Sequence, residues 1–473
     1  MSAYRPTIGL EIHAELATET KMFCRCKNDP EETEVNTNVC PVCMAHPGTI
    51  PTANKEAIRQ VLRVGTAMGS KLADYTEFDR KSYFYPDIPK GYQISQYEYP
   101  LVSGGSLNGV ELTRIHLEED TARSSHEGEE STSLVDFNRA GVPLMELVTE
   151  PVIHDAQTAG AFARELQLLL RTLGASHANL EKGEMRIEAN ISVSKDDAFG
   201  TKVEVKNLNS FRSVERAIEY EIERQSKLLD EGGKVEQETR GWDENGQKTF
   251  RQRAKEGSAD YRYFPEPDLP KIKRSGVAEW SDESLAASLP ELPAARLARY
   301  ISLGVKEADA ELIRADASDG SFFDAVLALL ENNAVLTTLA TNYFVSDLKG
   351  LSIKNVEGGF GNVTPENFVE LIRMASAGDI SSRGAKDTLA FLFEKGGRAQ
   401  EVAKAEGLLQ VSDTEALKAA VVSVIETNPA VVEEYRAGKE ASLQFLVGQC
   451  MKAMKGAGNP QVLKELLLQE LAK

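Results

Sequence analysis

Apolar residues recur at every second position near the start of the chain, at Ile8, Leu10 and Ile12. This period of two predicts a β-strand with one buried face. Glu11 and His13 then share the opposite face. A carboxylate beside an imidazole can bind a divalent metal ion or act as an acid/base pair, but a strand with a solvated face has the same pattern. On this stretch alone the solvated strand is the favoured interpretation.

Helical periodicity follows in residues 54–68, where Asn54 is placed to cap the helix. Two longer helices are predicted downstream. The first is capped by Asp155 and ends at Gly174, and the second ends at the two glycines 232–233. Each has one apolar stripe and therefore buries one face.

Two strands are predicted between these helices, in residues 185–194 and 201–205. Each contains a carboxylate among apolar positions, Glu188 in the first and Glu204 in the second. Residues 206–210 are expected to form the cap region of the second helix.

Residues 113–120 also alternate, and they end in three consecutive carboxylates, Glu118, Glu119 and Asp120. Adjacent carboxylates repel each other unless a cation or solvent screens them, so these three are candidate metal ligands. The alternative is a solvated strand end, which is the more common use of an acidic run.

A further alternating stretch lies in residues 133–151, with the period visible at Leu144, Glu146 and Val148. It ends in Glu150, which the following proline keeps in an extended conformation.

Strand patterns fade after residue 270, and prolines 290 and 293 mark a domain boundary. The rest of the chain predicts helices, which start at Thr364, Ser381, Ser412, Ala441 and Asn459.

The last 33 residues contain four lysines and two glutamates, in a chain whose net charge is −19. Lys452 and Lys455 lead into a glycine-rich turn that ends at Asn459. Such a turn can approach a phosphate, although most turns of this kind simply connect two helices.

Four of the five cysteines form two close pairs, Cys24-x-Cys26 and Cys40-x-x-Cys43. Thiolates at this spacing can surround one tetrahedral zinc ion, and four thiolates leave no open position for chemistry. Two disulfides or four buried thiols are the alternatives, and zinc is favoured because nothing in the sequence indicates secretion.

Residues 78–97 combine aromatic and basic side chains with proline and glycine, which predicts loops and short strands. The cations could contact phosphates while the tyrosines stack, and ordinary packing of an irregular loop explains the pattern equally well. The cations are Arg80, Lys81 and Lys90, and the aromatic residues are Tyr83, Phe84, Tyr85, Tyr92 and Tyr97.

The bulk properties narrow the class of protein. A chain of 473 residues with 41% hydrophobic and 27% charged residues predicts a globular protein of two or three domains. No signal peptide or membrane-spanning run is evident, so a cytoplasmic protein without membrane contact is expected. The acidic charge restricts any nucleic-acid contact to a local basic patch. No P-loop or dinucleotide fingerprint occurs.

Eight longer blocks carry a resemblance to a known family. They are T-I-G-L-E-I-H, N-V-C-P-V-C, F-D-R-K-S-Y-F-Y-P-D, H-L-E-E-D, S-L-V-D-F-N-R-A-G-V-P-L, K-N-L-N-S-F-R-S-V-E, D-Y-R-Y-F-P-E-P-D and F-L-V-G-Q-C-M-K-A-M-K-G-A-G-N-P. Together they resemble the B subunits of the aspartyl/glutamyl-tRNA amidotransferases, GatB, from residue 7 to the C-terminus.

The resemblance implies an ATP-dependent ligase that converts misacylated Glu-tRNA(Gln) or Asp-tRNA(Asn) to Gln-tRNA(Gln) or Asn-tRNA(Asn). In that family ATP phosphorylates the side-chain carboxylate, Mg²⁺ assists, and ammonia arrives from a glutaminase partner, the A subunit. The small C subunit completes the heterotrimer, and the zinc ion has a structural role.

The implied fold is α+β. A mixed α/β cradle occupies residues 1–292 with its zinc knuckle at 22–47, a helical domain occupies 293–405, and a YqeY-like helical tail occupies 406–473.

The resemblance also implies roles for individual residues and reverses the preference for a solvated first strand. Glu11, His13 and Glu150 would be catalytic, and they would hold Mg²⁺ together with Glu118 or Glu119. Other residues would line the path of substrate, ATP or ammonia, namely Lys81, Tyr83, Asn138, Arg139, Glu188, Lys206 and Asn207. Lys452, Lys455 and Asn459 would contact tRNA. The family usually has aspartate where this chain has Glu188.

Two rival functions belong to other classes. A zinc-stabilised scaffold could hold tRNA for a partner without catalysis, and a metal-dependent hydrolase could use Glu11 and His13 without ATP. Formation of ADP that depends on misacylated tRNA separates both from a ligase.

Overall fold

The computed structural model describes residues 4–125, 132–254, 261–331, 333–355, 358–410, 414–454 and 458–472. The chain divides into two compact units, Met1–Pro293 and Ala294–Lys473. Each unit has its own buried core.

The first unit contains most of the β-structure. Its strands are β1 (Arg5–Glu15), β2 (Lys71–Leu72), β3 (Tyr75–Thr76), β4 (Asp79–Ser82), β5 (Tyr92–Ser95), β6 (Val102–Ser103), β7 (Ser106–Leu107), β8 (Val110–Glu119), β9 (Arg123–Ser125), β10 (Leu134–Asp136), β11 (Pro143–Thr149), β12 (Met185–Ser194), β13 (Val203–Leu208), β14 (Glu238–Asp243), β15 (Lys248–Ala254), β16 (Phe264–Pro265) and β17 (Ile272–Lys273). Its helices are α1 (Lys55–Ala67), α2 (Ala156–Thr172), α3 (Phe211–Asp230) and α4 (Asp282–Ala287), and two short 3-10 turns precede α4, Arg274–Gly276 and Ala278–Trp280.

One large sheet organises this unit. Its strand order is β15-β14-β13-β12-β1-β11-β8-β6-β2, and β7 pairs with β8 off this path. The described pairs are antiparallel except β13 with β14, which is parallel. β1 therefore lies in the middle of the sheet, between β12 and β11.

The alternation in β1 is confirmed, because its apolar side chains are buried in the core. Ile8 and Ile12 have no exposed surface, and Leu10 is 1% exposed. Buried residues of α1, α2 and α3 belong to the same core, so these helices cover the apolar face. Glu11 and His13 lie on the other face of the sheet.

The caps and ends of the predicted helices in this unit are also observed. The Asn54 side chain accepts hydrogen bonds from the first turn of α1, and Asp155 does the same for α2. Gly174 ends α2 with a positive φ of 64°, a conformation that glycine adopts without strain.

One boundary predicted from the sequence is wrong. The strand expected at residues 201–205 is β13, which extends to Leu208. Residues 206–208 are therefore part of the sheet, and Ser210 alone caps α3.

A smaller three-stranded sheet, β16-β4-β5, combines the two strands of the aromatic and basic segment, β4 and β5, with β16 from further along the chain. Two further pairs of strands, β9 with β10 and β3 with β17, complete the first unit. The prediction of loops and short strands in this segment is confirmed.

From Pro293 onward the described chain is helical. The helices are α5 (Pro293–Ser302), α6 (Glu307–Arg314), α7 (Ala317–Leu329), α8 (Ala334–Tyr343), a π-helical stretch (Phe344–Leu348), α9 (Lys349–Lys354), α10 (Pro365–Ala377), α11 (Ser382–Lys395), α12 (Ala399–Ala405), α13 (Thr414–Thr427), α14 (Pro429–Arg436), α15 (Ala441–Ala453) and α16 (Pro460–Leu471). Among the described residues, no helix is both long and apolar enough to cross a membrane.

Buried side chains of the second unit form two clusters, one within residues 300–403 and one within residues 417–471. The sequence-based limits at 292/293 and 405/406 remain predictions.

Candidate active site

The polar face of the central sheet brings together side chains from three neighbouring strands. His13 on β1 lies opposite Glu146 on β11, and Glu146 lies opposite His116 on β8. Residues directly opposite each other in antiparallel strands project from the same face. Glu118, two residues after His116, joins them there because side chains alternate along a strand.

The distances within this group are short enough for direct interaction. The Nε2 atom of His13 lies 3.4 Å from Glu146 Oε2 and 3.7 Å from Glu118 Oε1. The Nε2 atom of His116 lies 3.2 Å from the same Glu146 oxygen. Ser95 Oγ donates a hydrogen bond of 3.0 Å to Glu118. We call His13, His116, Glu118 and Glu146 the carboxylate–imidazole cluster.

The cluster is buried, so water screens the interactions between its charged groups only weakly. Glu146 is 6% exposed and Glu118 is 3% exposed. Burial alone would lower the pKa of both imidazoles, but the neighbouring carboxylates raise the pKa of His13 and of His116 to about 9. Burial opposes ionisation of Glu146, yet the two imidazoles hold its pKa well below the usual value. Opposite charges thus stabilise each other.

A second acidic group adjoins the first through Glu11. One carboxylate oxygen from each of Glu11, Glu188 and Glu204 lies within 4.8 Å of the others. Lys206 Nζ lies 2.8 Å from Glu188 and 3.9 Å from Glu204, so one positive charge already balances part of this group. Burial, and then the charge of Glu146, raises the pKa of Glu11 to about 6.

The donor atoms of Glu11, His13 and Glu146 fit a divalent ion, because they too lie within 4.8 Å of one another. Ligands on opposite sides of Mg²⁺ are about 4.2 Å apart and adjacent ligands about 3 Å apart, given ligand distances near 2.1 Å. Mg²⁺ prefers carboxylate oxygens, which Glu11 and Glu146 supply. Glu11 and two members of the cluster, His13 and Glu146, supply these donors from two paired strands, β1 and β11.

Two residues expected at this site lie elsewhere. Glu119, on the opposite face of β8, forms a 2.5 Å ion pair with Lys90 and accepts a hydrogen bond from the Ile94 amide. Glu150 accepts a 2.8 Å hydrogen bond from Thr113 Oγ1. Neither belongs to a metal-binding group among the described residues. The structure therefore does not place Glu119 or Glu150 with His13, and it places Glu146 there instead.

Sequence reasoning missed Glu146 and His116 as candidate ligands. Glu146 was visible as a carboxylate within an alternating apolar stretch, and His116 as a histidine two residues before the acidic run. Both signals were present, but the pairing of strands that joins them cannot be seen in the sequence.

Asp120, the third acid of the run, belongs to a separate buried group with Glu15. Arg186 Nη1 donates to Asp120 at 2.9 Å, and Arg139 Nε lies 3.7 Å from it. Burial opposes ionisation of Asp120, but the two guanidinium groups lower its pKa to about 2. Burial and the Asp120 charge raise the pKa of Glu15 to about 8. The solvated strand end is thus wrong, since all three acids of the run are buried.

Lys81 and Tyr83 lie on β4 and just after it, close to the carboxylate–imidazole cluster. Burial disfavours the charged form of Lys81, but the Glu118 charge raises its pKa above the usual value. Its Nζ lies 4.9 Å from the centre of the Tyr261 ring and 5.8 Å from that of Tyr83.

The other residues expected on the substrate path have different surroundings. Asn138 is completely buried and bridges the cysteine-containing loop, because its side chain accepts from the Asn38 amide and donates to the Glu34 carbonyl. Arg139 donates to backbone carbonyls at 121 and 122. Asn207 is exposed and has a positive φ of 65°.

The four cysteines Cys24, Cys26, Cys40 and Cys43 form a compact group whose sulfur atoms all lie within 4.8 Å of one another. The Cys43 sulfur lies 3.8 Å from that of Cys40 and 4.0 Å from that of Cys26. A tetrahedral zinc ion with Zn–S bonds of about 2.3 Å separates its sulfurs by about 3.8 Å, whereas a disulfide needs about 2.05 Å. This group can therefore hold a metal ion.

The residues just before Cys24 are hydrogen-bonded to the turn that leads into β11. The Met22 amide donates to the Gly141 carbonyl at 2.7 Å. The Gly141 amide in turn donates to the Asp120 carbonyl at 2.9 Å. The fully buried Lys21 donates through Nζ to the Phe137 carbonyl at 3.1 Å.

Of the residues expected to contact tRNA, Lys452 is an exposed residue of α15, and Asn459 caps α16 with its side chain. Lys455 lies outside the described residues.

Comparison with known families gives the class of protein. Residues 6–277 match the profile of the GatB/GatE catalytic domain, and residues 321–471 match a second profile described as GatB domain. The sheet and its polar face lie within the first match. The class is therefore a GatB/GatE catalytic domain followed by a GatB helical region.

Individual relatives narrow this class. The B subunit of the aspartyl/glutamyl-tRNA(Asn/Gln) amidotransferase of Persephonella marina is 41% identical over 99% of this chain and 100% of that protein. The B subunit of the same name from Synechocystis is 42% identical over 99% of this chain and 98% of that protein. The B subunit of the chloroplastic/mitochondrial glutamyl-tRNA(Gln) amidotransferase of Ostreococcus lucimarinus is 42% identical over 99% of this chain and 97% of that protein. The chain belongs to the family of tRNA amidotransferase B subunits.

Proposed function

We propose that this chain is the component of a tRNA-dependent amidotransferase that activates and amidates the misacylated amino acid. Its substrates are Glu-tRNA(Gln), Asp-tRNA(Asn) or both, and ATP supplies the phosphoryl group. Family membership supports the overall reaction. The carboxylate–imidazole cluster is the observation that supports catalysis by this chain.

The chemistry requires activation before amidation. A carboxylate oxygen is a poor leaving group, so ammonia cannot replace it until the carboxylate has been phosphorylated. Phosphoryl transfer is catalysed mainly by positioning and by neutralising negative charge. Buried cationic and metal-binding groups on one sheet face suit this task.

Glu11, His13, Glu118 and Glu146 are the residues that would hold Mg²⁺. When bound, this ion neutralises charge on the phosphates of ATP and on the substrate carboxylate. His116 supports Glu146 from the side opposite His13.

Two lysines near the cluster, one on β4 and one on β13, order the reacting groups. Lys81 is held between aromatic rings beside the cluster, where its ammonium group can orient an anionic substrate. Lys206 fixes the carboxylate of Glu188, which carries one methylene more than the aspartate usual in the family.

We assign the cysteine group a structural Zn²⁺, because four thiolates close the tetrahedral shell. We further propose that a glutaminase partner, the A subunit, supplies ammonia, that the small C subunit completes the heterotrimer, and that the complex works in the cytoplasm. Residues 1–292 would form the cradle, 293–405 the helical domain and 406–473 the YqeY-like tail.

The decisive experiment reconstitutes the complex and measures ADP formation with misacylated tRNA. His13→Ala should abolish ADP formation while glutamine hydrolysis by the partner persists, because the two reactions use different sites. A tRNA-binding scaffold would be indicated if the variant formed ADP at the wild-type rate.

A further inference from the structure

Five tyrosine rings form a continuous series beside the carboxylate–imidazole cluster. The members in order are Tyr85, Tyr83, Tyr261, Tyr263 and Tyr97. Successive ring centres lie 5.8, 5.9, 6.2 and 4.4 Å apart, and the last pair is stacked. We call this series the tyrosine path.

The two ends of the path are at the surface and its middle is beside the cluster. Tyr85 is 46% exposed and Tyr97 is 49% exposed. Lys81 Nζ lies 4.9 Å from the centre of the Tyr261 ring, and Lys81 itself is on β4, which pairs with β5. Ser95 of β5 donates a hydrogen bond to Glu118 of the cluster. The path therefore connects solvent with the residues proposed to bind the reacting carboxylate.

This arrangement exceeds what packing requires. The face of an exposed tyrosine ring interacts poorly with water. The buried rings of the path already contact each other, so the two exposed rings at its ends are not needed to complete their packing. One face of Tyr97 is covered by Tyr263, and about half of Tyr97 remains exposed, so that another flat ring can extend the stack.

We propose that the tyrosine path binds the single-stranded 3′ end of the misacylated tRNA by stacking its bases. This inference rests on the proposed function, because the amino acid is esterified to the terminal nucleotide. Placing the amino acid at the cluster necessarily places that nucleotide within reach of the path.

Two features favour an RNA end over the adenine of ATP. Aromatic side chains on which successive bases stack are the usual platform for single-stranded nucleic acid, and a single adenine needs one or two rings rather than five. Arg262, between Tyr261 and Tyr263, is exposed and can meet the phosphodiester charges.

The test uses Tyr85→Ala and Tyr97→Ala in the reconstituted complex. Stacking of one base is worth about 1–3 kcal/mol, so each change should raise the KM for misacylated tRNA at least about fivefold. The KM for ATP should stay unchanged, and Tyr97→Phe, which retains the ring, should restore the wild-type KM for tRNA.

Tyr99→Ala is the matched control. Tyr99 is 43% exposed and its ring contacts Tyr75 rather than the path. Binding of a labelled ACCA tetranucleotide, measured by fluorescence anisotropy, gives a second readout that needs no turnover. It should weaken in Tyr97→Ala and not in Tyr99→Ala.

Three outcomes would overturn the proposal. They are a wild-type KM for tRNA in both alanine variants, a rise in the KM for ATP instead, and an equal loss in Tyr99→Ala. Failure of the proposed function is distinguishable, because the wild-type complex would then form no ADP on misacylated tRNA.

Discussion

Replacing Glu146 by glutamine tests which of two sets of metal ligands is correct, the set seen in the structure or the set implied by family resemblance. Glu146→Gln keeps the size of the side chain and removes its charge. The matched variant is Glu150→Gln, at the position that the resemblance assigned to the metal. The structure predicts a large effect for the first and a small effect for the second.

The size of each effect follows from the contacts. Glu146 lies 3.4 Å from His13 and 3.2 Å from His116. A pair of unit charges at such a distance interacts by about 5 kcal/mol at an effective dielectric constant of about 20. A loss of several kcal/mol in the transition state corresponds to about 10²–10³-fold in rate. Glu150 only accepts from Thr113, and an amide oxygen can do the same, so we expect less than about threefold.

The assay is single-turnover ADP formation on misacylated tRNA in the reconstituted complex, over a range of Mg²⁺ concentrations. Zinc content of both variants and the Tm of Glu150→Gln should match the wild type, whereas Glu146→Gln should lower the Tm, because it removes the negative charge that faces two buried imidazolium groups. Near wild-type activity of Glu146→Gln together with an inactive Glu150→Gln would refute the inference drawn from strand pairing and restore the ligand set implied by resemblance.

Three further predictions concern other parts of the chain. Elemental analysis of the purified protein should find about one zinc per chain. The Cys40→Ala/Cys43→Ala double variant should lose this zinc, and Cys450→Ala should keep it. Unchanged zinc in the double variant would contradict the assignment. Lys452→Glu should weaken tRNA binding several-fold and reduce its salt dependence, measured by filter binding, whereas equal affinity would exclude Lys452 from the tRNA surface. The pKa of Glu15 is raised to about 8, so above about pH 4.3 the folded protein retains a proton that the unfolded chain has released, and the stability of the folded protein falls as the pH rises to about 8. Glu15→Gln should therefore raise the Tm relative to the wild type progressively across that range. A pH-independent difference in Tm would show that Glu15 is ionised in the folded protein.

Much of the fold could be predicted from local patterns. The alternation of Ile8, Leu10 and Ile12 predicted β1, and Asn54 predicted the start of α1, because side-chain period and capping are properties of neighbouring residues. The start of α10 at Pro365 could be predicted for the same reason, and the structure shows in addition a capping box at Thr364.

The composition of the active site could be predicted only in part. Glu11, His13 and Glu118 were identified as candidates, but Glu146 was not. Its contact with His13 depends on which strands pair and in which register, and these are set by the packing of the whole sheet rather than by adjacent residues. The buried state of the three acids at 118–120 likewise depends on partners distant in sequence, such as Arg186.

The antiparallel register of β1 and β11 has a consequence for the specificity of folding. Since side chains alternate between the two faces, a slip of one residue would turn Glu11 and His13 into the hydrophobic core and bring Leu10 and Ile12 to the polar face. A misregistered sheet would thus lose its core and its candidate metal ligands in the same event. Chains that fold to a stable central sheet are for this reason also the chains whose ligands are already in place, so that ion binding needs little further ordering of the backbone.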